Sequence, residues 1–174
     1  MDVIVKQVPA LKAAVLPAVA DFSSMGHEVR KAWHQVVEAL PVGHPNRTNT
    51  DRGIVFIPQW EARIEGKPVL YAGVEINAKD DVPQYLEVID IPEHTYAAIH
   101  VQGDREQMWS IYKQLDEWIA NSGEYRLANE QGSFGFEVND LQVNPFDIPW
   151  DIINEFNYEI YKAIVKKEEA ITRG

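Results

Sequence analysis

The chain predicts an α+β fold built from two related halves, and three observations carry that prediction. An apolar motif occurs twice, at residues 3–9 followed by 12–16, and again at 86–92 followed by 96–101. Each copy precedes a helix-like segment. After each helix come two strand-like segments, so the order strand, helix, strand, strand falls once in residues 1–77 and again in 85–167. Matching Pro9 to Pro92 leaves the pairs Ala13-Ala14 and Ala97-Ala98 one residue out of register. A duplicated β-α-β-β unit gives two half-sheets about a pseudo-twofold axis, with a groove between them as the natural ligand site. The 174 residues suffice for one domain spanning 1–174, made of two intimately packed halves.

Each element follows from local pattern. Residues 3–8 and 11–16 are rich in β-branched side chains and read as strands, and Pro9 between them marks a bend or bulge at an edge. Pro17 and Ser23-Ser24-Met25-Gly26 place a loop at 17–26. From His27 to Leu40, Val29, Ala32, Trp33, Val36 and Leu40 fall on one helical stripe, which Pro41 and Gly43 stop. Residues 53–57 and 69–76 read as strands, with Glu65-Gly66 as a turn before the second. A polar connector at 77–83 leads to the second copy, with strands at 85–91 and 95–101.

Asp104 then offers an N-cap, with Gln107 three residues on as in a capping box. Met108, Ile111, Tyr112, Leu115, Trp118 and Ile119 form the helical stripe. Gly123 suits a left-handed C-cap. Residues 133–138 and 156–165 read as the last two strands. Between them, 139–155 is irregular yet apolar, with Leu141, Phe146, Ile148 and Trp150. It either folds over the groove as a lid or plugs the end of the core through a short helix at 150–156.

Composition narrows the function. The chain has no cysteine, which excludes disulfides, thiolate metal sites and cysteine nucleophiles and fits a cytoplasmic protein. No apolar run reaches the ~20 residues of a membrane helix, and the N-terminus lacks the layout of a secretory signal. The net charge of −11 carries no segregated basic patch, because Lys162, Lys166 and Lys167 alternate with apolar residues or precede Glu168 and Glu169. Direct nucleic-acid binding is therefore not expected. Such acidity either favours cationic ligands or basic protein partners, or simply maintains solubility. The histidines show no metal-binding spacing, and no phosphate loop or nucleophile elbow is present, so no metal and no cofactor are expected.

The candidate site residues are acids and aromatics. On the last strand Tyr158, Ile160, Lys162 and Ile164 share one face, and Glu159, Tyr161, Ala163 and Val165 share the other. Glu159 in this apolar company is either a buried acid awaiting a cation or an exposed residue near a strand end. Glu75 and Glu137 lie in strands too and either line the groove or face solvent. Tyr71, Tyr96, Phe136 and Tyr161 offer flat walls that suit an apolar cation. Trp33 and Trp118 sit on helical stripes and are read as core. Trp60, Trp109 and Trp150 lie off those stripes and belong either to the groove or to the surface.

In this order and spacing several short pieces resemble the gyrase-inhibitor-like (GyrI-like) small-molecule-binding family, the effector-binding domain of AraC- and MerR-type regulators. They are Leu70-Tyr71-Ala72-Gly73-Val74, Ile91-Pro92-Glu93-His94-Thr95-Tyr96-Ala97, Val101-Gln102-Gly103, Trp118-Ile119-Ala120-Asn121-Ser122-Gly123, Phe136-Glu137-Val138 and Tyr158-Glu159-Ile160-Tyr161. The resemblance implies antiparallel sheets with one main helix per half and a central groove. It implies binding of lipophilic aromatic or cationic molecules as a sensor or sequestering protein, and with the first strand starting at residue 3 and no helix-turn-helix region before it a stand-alone member is expected. By the same resemblance Glu159 on the last strand would meet the cation among Tyr161, Tyr71, Tyr96, Phe136, Trp109, Trp150 and Trp60. Two alternatives come with the family. One is hydrolysis of cyclopropane-containing genotoxic compounds with Glu159 as general base or water-orienting group and Tyr96 or Tyr161 as its hydrogen-bond partner, no catalytic residue being firm. The other is a protein-interaction module of gyrase-inhibitor type. The chain departs from the family in the ending Tyr161-Lys162-Ala163-Ile164-Val165, where a proline is common, and in the insertion-like stretch 139–155.

Overall fold

The computed structural model describes residues 2–48, 52–140 and 152–168. Within them the order is β1 (Ile4–Val8), β2 (Leu11–Val19), α1 (Phe22–Ala39), β3 (Arg52–Pro58), β4 (Arg63–Ile64), β5 (Lys67–Glu75), β6 (Glu87–Ile91), β7 (His94–Gly103), α2 (Arg105–Asn121), β8 (Tyr125–Leu127), β9 (Phe134–Asp140) and β10 (Phe156–Lys166). The expected α+β duplication is present. Strands run β1-β7-β10-β9-β3-β5-β2-β6, all antiparallel, with β4 beside β5 and β8 beside β10. Thus β7-β10-β9 mirrors β2-β5-β3, and each half lends its first strand to the other: β1 pairs with β7, and β6 with β2. Pro9 and Pro92 mark these crossovers. Two short strands, β4 and β8, give no signal in the sequence.

At the centre β3 meets β9, Arg52 opposite Asp140 and Pro58 opposite Phe134. The midpoint of that register is the pair Val55 and Glu137, so the pseudo-twofold axis passes between them. The sheet curls strongly. β6 ends one side of the strand order and β7 lies second from the other, yet only Pro92 and Glu93 join them.

Side-chain alternation then sorts each strand between two faces. Ala13, Val15, Ile54, Phe56, Tyr96, Phe136 and Tyr161 pack inside the curl. Val55, Ala72, Ile99, Ile160 and their neighbours face outward, where α1 and α2 cover them.

Three local expectations give way to tertiary packing. Pro17 lies inside β2, not in a loop, past the last residue paired to β6 (Val15), where β5 alone is the partner. The first helix begins at Phe22, five residues before the stripe suggests, because Met25 extends the Val29–Trp33 face and is buried with it. That burial outweighs the weak helix propensity of Ser23, Ser24 and Gly26. The second helix ends at an extended Ser122 (φ −66°, ψ 130°) whose N–H donates to the Ile119 carbonyl, so no left-handed Gly123 cap forms. Its start matches expectation. The Asp104 carboxylate accepts from Gln107 N–H, and the Gln107 side chain accepts from Asp104 N–H.

Candidate functional site

The two helices do not meet over the centre of the sheet. They leave a cleft of about 480 Å³ above β3 and β9, within the range typical of small-molecule sites. Met25, Val29 and Trp33 of α1 form one wall; Met108, Trp109 and Tyr112 of α2 form the other. The floor comes from Val55 and Ile57 of β3, Glu137 and Asn139 of β9, and Phe156 and Tyr158 of β10. Trp33 anchors its wall by donating its indole N–H to the Ile54 carbonyl at 3.1 Å. Phe22 and Trp109 stand at the rim, 79% and 59% exposed.

Glu137 is the acid of this cleft. The neighbouring Phe136 and Val138 pack inside the curl, so alternation turns Glu137 outward, under the helices. Its carboxyl accepts a short hydrogen bond from the Tyr112 hydroxyl, which lies 2.5 Å from the Tyr158 hydroxyl. Burial raises its pKa from the ordinary glutamate value; the Tyr112 bond and the charges of Arg30 and Lys162 offset part of that rise. Desolvation and the adjacent carboxylate push Tyr112 and Tyr158 upward too, so both phenols stay protonated at neutral pH. Arg30, 7% exposed, lines the same cavity from α1. Apolar walls around a carboxyl and a hydroxyl chain can hold a flat molecule that offers a donor or positive charge at one end.

The sequence-predicted residues divide between the two faces of the sheet. Trp109 lines the cleft. Glu159 does not: it sits on the other face, exposed, with the Tyr161 hydroxyl donating to it. Tyr96, Phe136 and Tyr161 are buried core inside the curl, where Phe136 stacks on Tyr161 at 4.7 Å, and Tyr71 packs against the same cluster. Desolvation pushes the Tyr96 phenol up to about 12. Trp60 meets Phe134 edge-on at 4.9 Å beside a second depression of about 270 Å³ that Tyr161 also lines. Glu75 shares the inner face, and its pKa is raised by burial against the lowering effect of Arg52. Trp150 and most of the 139–155 segment lie outside the described residues. Among the described residues no group of three His, Asp or Glu side chains could hold a metal ion, and no helix is long and apolar enough to cross a membrane.

Sequence reasoning named Glu137 as one of three acids but missed Tyr112, Tyr158 and Arg30. Arg30 had a signal, since it lies four residues after Gly26 and three before Trp33, on the apolar side of α1.

The family model Cass2, an integron-associated effector-binding protein, matches residues 4–164. The chain belongs to this effector-binding family. Solved structures agree on the fold, which is that of GyrI-like effector-binding domains. The C-terminal domain of EcmrR superposes with a TM-score of 0.66 at 19% identity, over 95% of this chain and 98% of that one. In an EcmrR–DNA complex the chain spans 58% of the EcmrR chain. SAV2435, solved bound to tetraphenylphosphonium, gives 0.62 at 14% identity, over 95% and 94% of the two chains. An integron cassette protein from the mobile metagenome of Vibrio cholerae gives 0.54 at 9% identity, over 94% and 95%. No curated protein matches the sequence.

Proposed function

We propose that the interhelical cleft is the receptor for a small, largely apolar aromatic effector whose positively charged or N–H-donating group meets Glu137, and that binding serves sensing or sequestration. The observation that carries this reading is a carboxyl enclosed at the floor of a cavity with aromatic walls. A buried acid there is costly when empty and is relieved by a cation or a strong donor. That SAV2435, a protein of the same fold, holds a lipophilic cation supports the reading by analogy.

The test is a titration with rhodamine 6G, followed by quenching of Trp33 and Trp109 in the cavity walls. Glu137→Gln should weaken binding by about 10–100-fold, the worth of a hydrogen bond to a charged group. Glu159→Gln should leave it within about twofold. The opposite pattern would return the site to Glu159 on the inner face. Chromatography of the dye after long incubation should recover it intact, whereas a hydrolase would yield product.

A further inference from the structure

The hydrogen-bonded chain at the polar end of the cleft has spent its own protons. Each phenol carries a single O–H. That of Tyr112 goes to the Glu137 carboxyl. The 2.5 Å contact between the two phenols is therefore made with the Tyr158 proton. An ionised Glu137 has none to give. The capacity left over consists of lone pairs, on the second carboxylate oxygen of Glu137 and on the Tyr158 oxygen. Both residues line the cleft. Arg30 and Lys162 act on Glu137 through their charges, and among the described residues only Tyr112 reaches it with a side-chain hydrogen bond.

The other half of the cleft has no such chain. Met25 and Met108 are each the fourth residue of their helices, and Val29 and Tyr112 each the eighth. Val55 stands across the pseudo-twofold axis from Glu137. In the sheet Val55 pairs with Ala72 and Glu137 with Ile160, so Leu70 takes the place of Tyr158. Val29, Val55 and Leu70 line the cleft as Tyr112, Glu137 and Tyr158 do. All three members of the polar chain thus occupy places that aliphatic side chains fill in the other half. Packing is served by the aliphatic set. Enclosed acceptors with open lone pairs are costly until a donor meets them.

We infer that the charged end of the effector is an unalkylated nitrogen group with at least two N–H bonds, as in an amidinium or an amino-substituted cationic ring, which donates to Glu137 and Tyr158 together. This deepens the proposed function and rests on the cleft being the receptor. Tyr158 then determines specificity. A cation capped by alkyl or aryl groups feels the same attraction to Glu137 but leaves both acceptors unmet, and the cleft selects against it.

Rhodamine 123 and tetramethylrhodamine methyl ester test the inference. They share the xanthene ring, the methyl ester and the single positive charge. The first has unsubstituted amino groups, and the second has the same nitrogens fully methylated. The added methyls bring apolar surface, so a receptor that reads only charge and apolar area ranks the methylated dye first. Fluorescence anisotropy with the full chain should instead show rhodamine 123 binding about tenfold or more tightly, the scale of a hydrogen bond to a charged group. Tyr158→Phe, which keeps the ring, should shrink that ratio by about threefold or more, through weaker binding of rhodamine 123 alone. Circular dichroism checks the fold of the variant; if it does not fold, the wild-type ratio decides. Equal binding of the two dyes by the wild type, or tighter binding of the methylated one, overturns the inference and leaves the receptor in place. A ratio unchanged in Tyr158→Phe assigns the preference to methyl bulk and also overturns it. Failure of both dyes to bind removes the receptor reading itself, and this inference with it.

Discussion

Replacing Trp33 by phenylalanine tests whether the cleft wall is the rigid surface described. Trp33 is 2% exposed, packs with Val55 and Ala72, and donates to the Ile54 carbonyl at 3.1 Å. The substitution removes one hydrogen bond, worth about 1 kcal/mol. It also exchanges an indole for a smaller ring and leaves a gap of roughly 40 Å³, which at about 24 cal/mol per Å³ costs ~1 kcal/mol. The apolar area no longer buried adds a fraction of a kcal/mol at about 25 cal/mol per Å². The sum is about 2–3 kcal/mol, or about 5–10 °C in Tm for a chain of this size. Urea denaturation followed by circular dichroism gives the difference without depending on the lost fluorophore. A loss under about 0.5 kcal/mol, the range of ordinary surface substitutions, would show that Trp33 is not seated between α1 and β3.

Three further outcomes follow from the same geometry. At Gly73 a Cβ would stand 1.9 Å from the Ala14 carbonyl oxygen and 2.7 Å from a Val15 methyl, so Gly73→Ala must push β2 off β5; a urea midpoint shift equivalent to at least ~1–3 kcal/mol is expected, and an unchanged midpoint would contradict the register. Asp104→Ala, which removes the capping box of α2, should cost about 1 kcal/mol in the same assay, with no loss meaning the cap is idle. For Glu137 the folded pKa is raised, so the folded chain keeps a proton that the unfolded chain releases, and stability falls as pH rises from the ordinary carboxylate range through the folded value. Unfolding midpoints measured from acid to mildly alkaline pH should therefore show Glu137→Gln gaining on the wild type as pH rises, and a difference that does not vary with pH would deny the enclosure.

Much of the fold was legible because alternation and helical stripes survive folding intact. The sorting of Tyr158 and Ile160 from Glu159 and Tyr161 along β10 follows from a period of two. The Asp104–Gln107 box is a local device, and it forms as written. What failed to read was set by distant contacts. Residues Phe22–Gly26 are helical because Met25 finds the sheet, and Pro17 is tolerated because β6 stops short of it. The site was half legible for the same reason. Glu137 and Glu159 both sit in strands beside aromatics, and the sequence carries no statement of which sheet face the helices cover. Once α1 and α2 occupy the outer face, Glu137 is enclosed and Glu159 is not.

The central register carries one last consequence. Two separate, identical subunits arranged about the line between β3 and β9 would present the same side chain on either side of it. Here one tether joins the halves, and Val55 stands across from Glu137. The floor of the cleft is thus lopsided at its very middle, with a valine on one side of the axis and a glutamate on the other. On the proposed reading, a guest that is itself unsymmetrical would have one way round to sit, since turning it about the axis would bring the group meant for Glu137 against a valine.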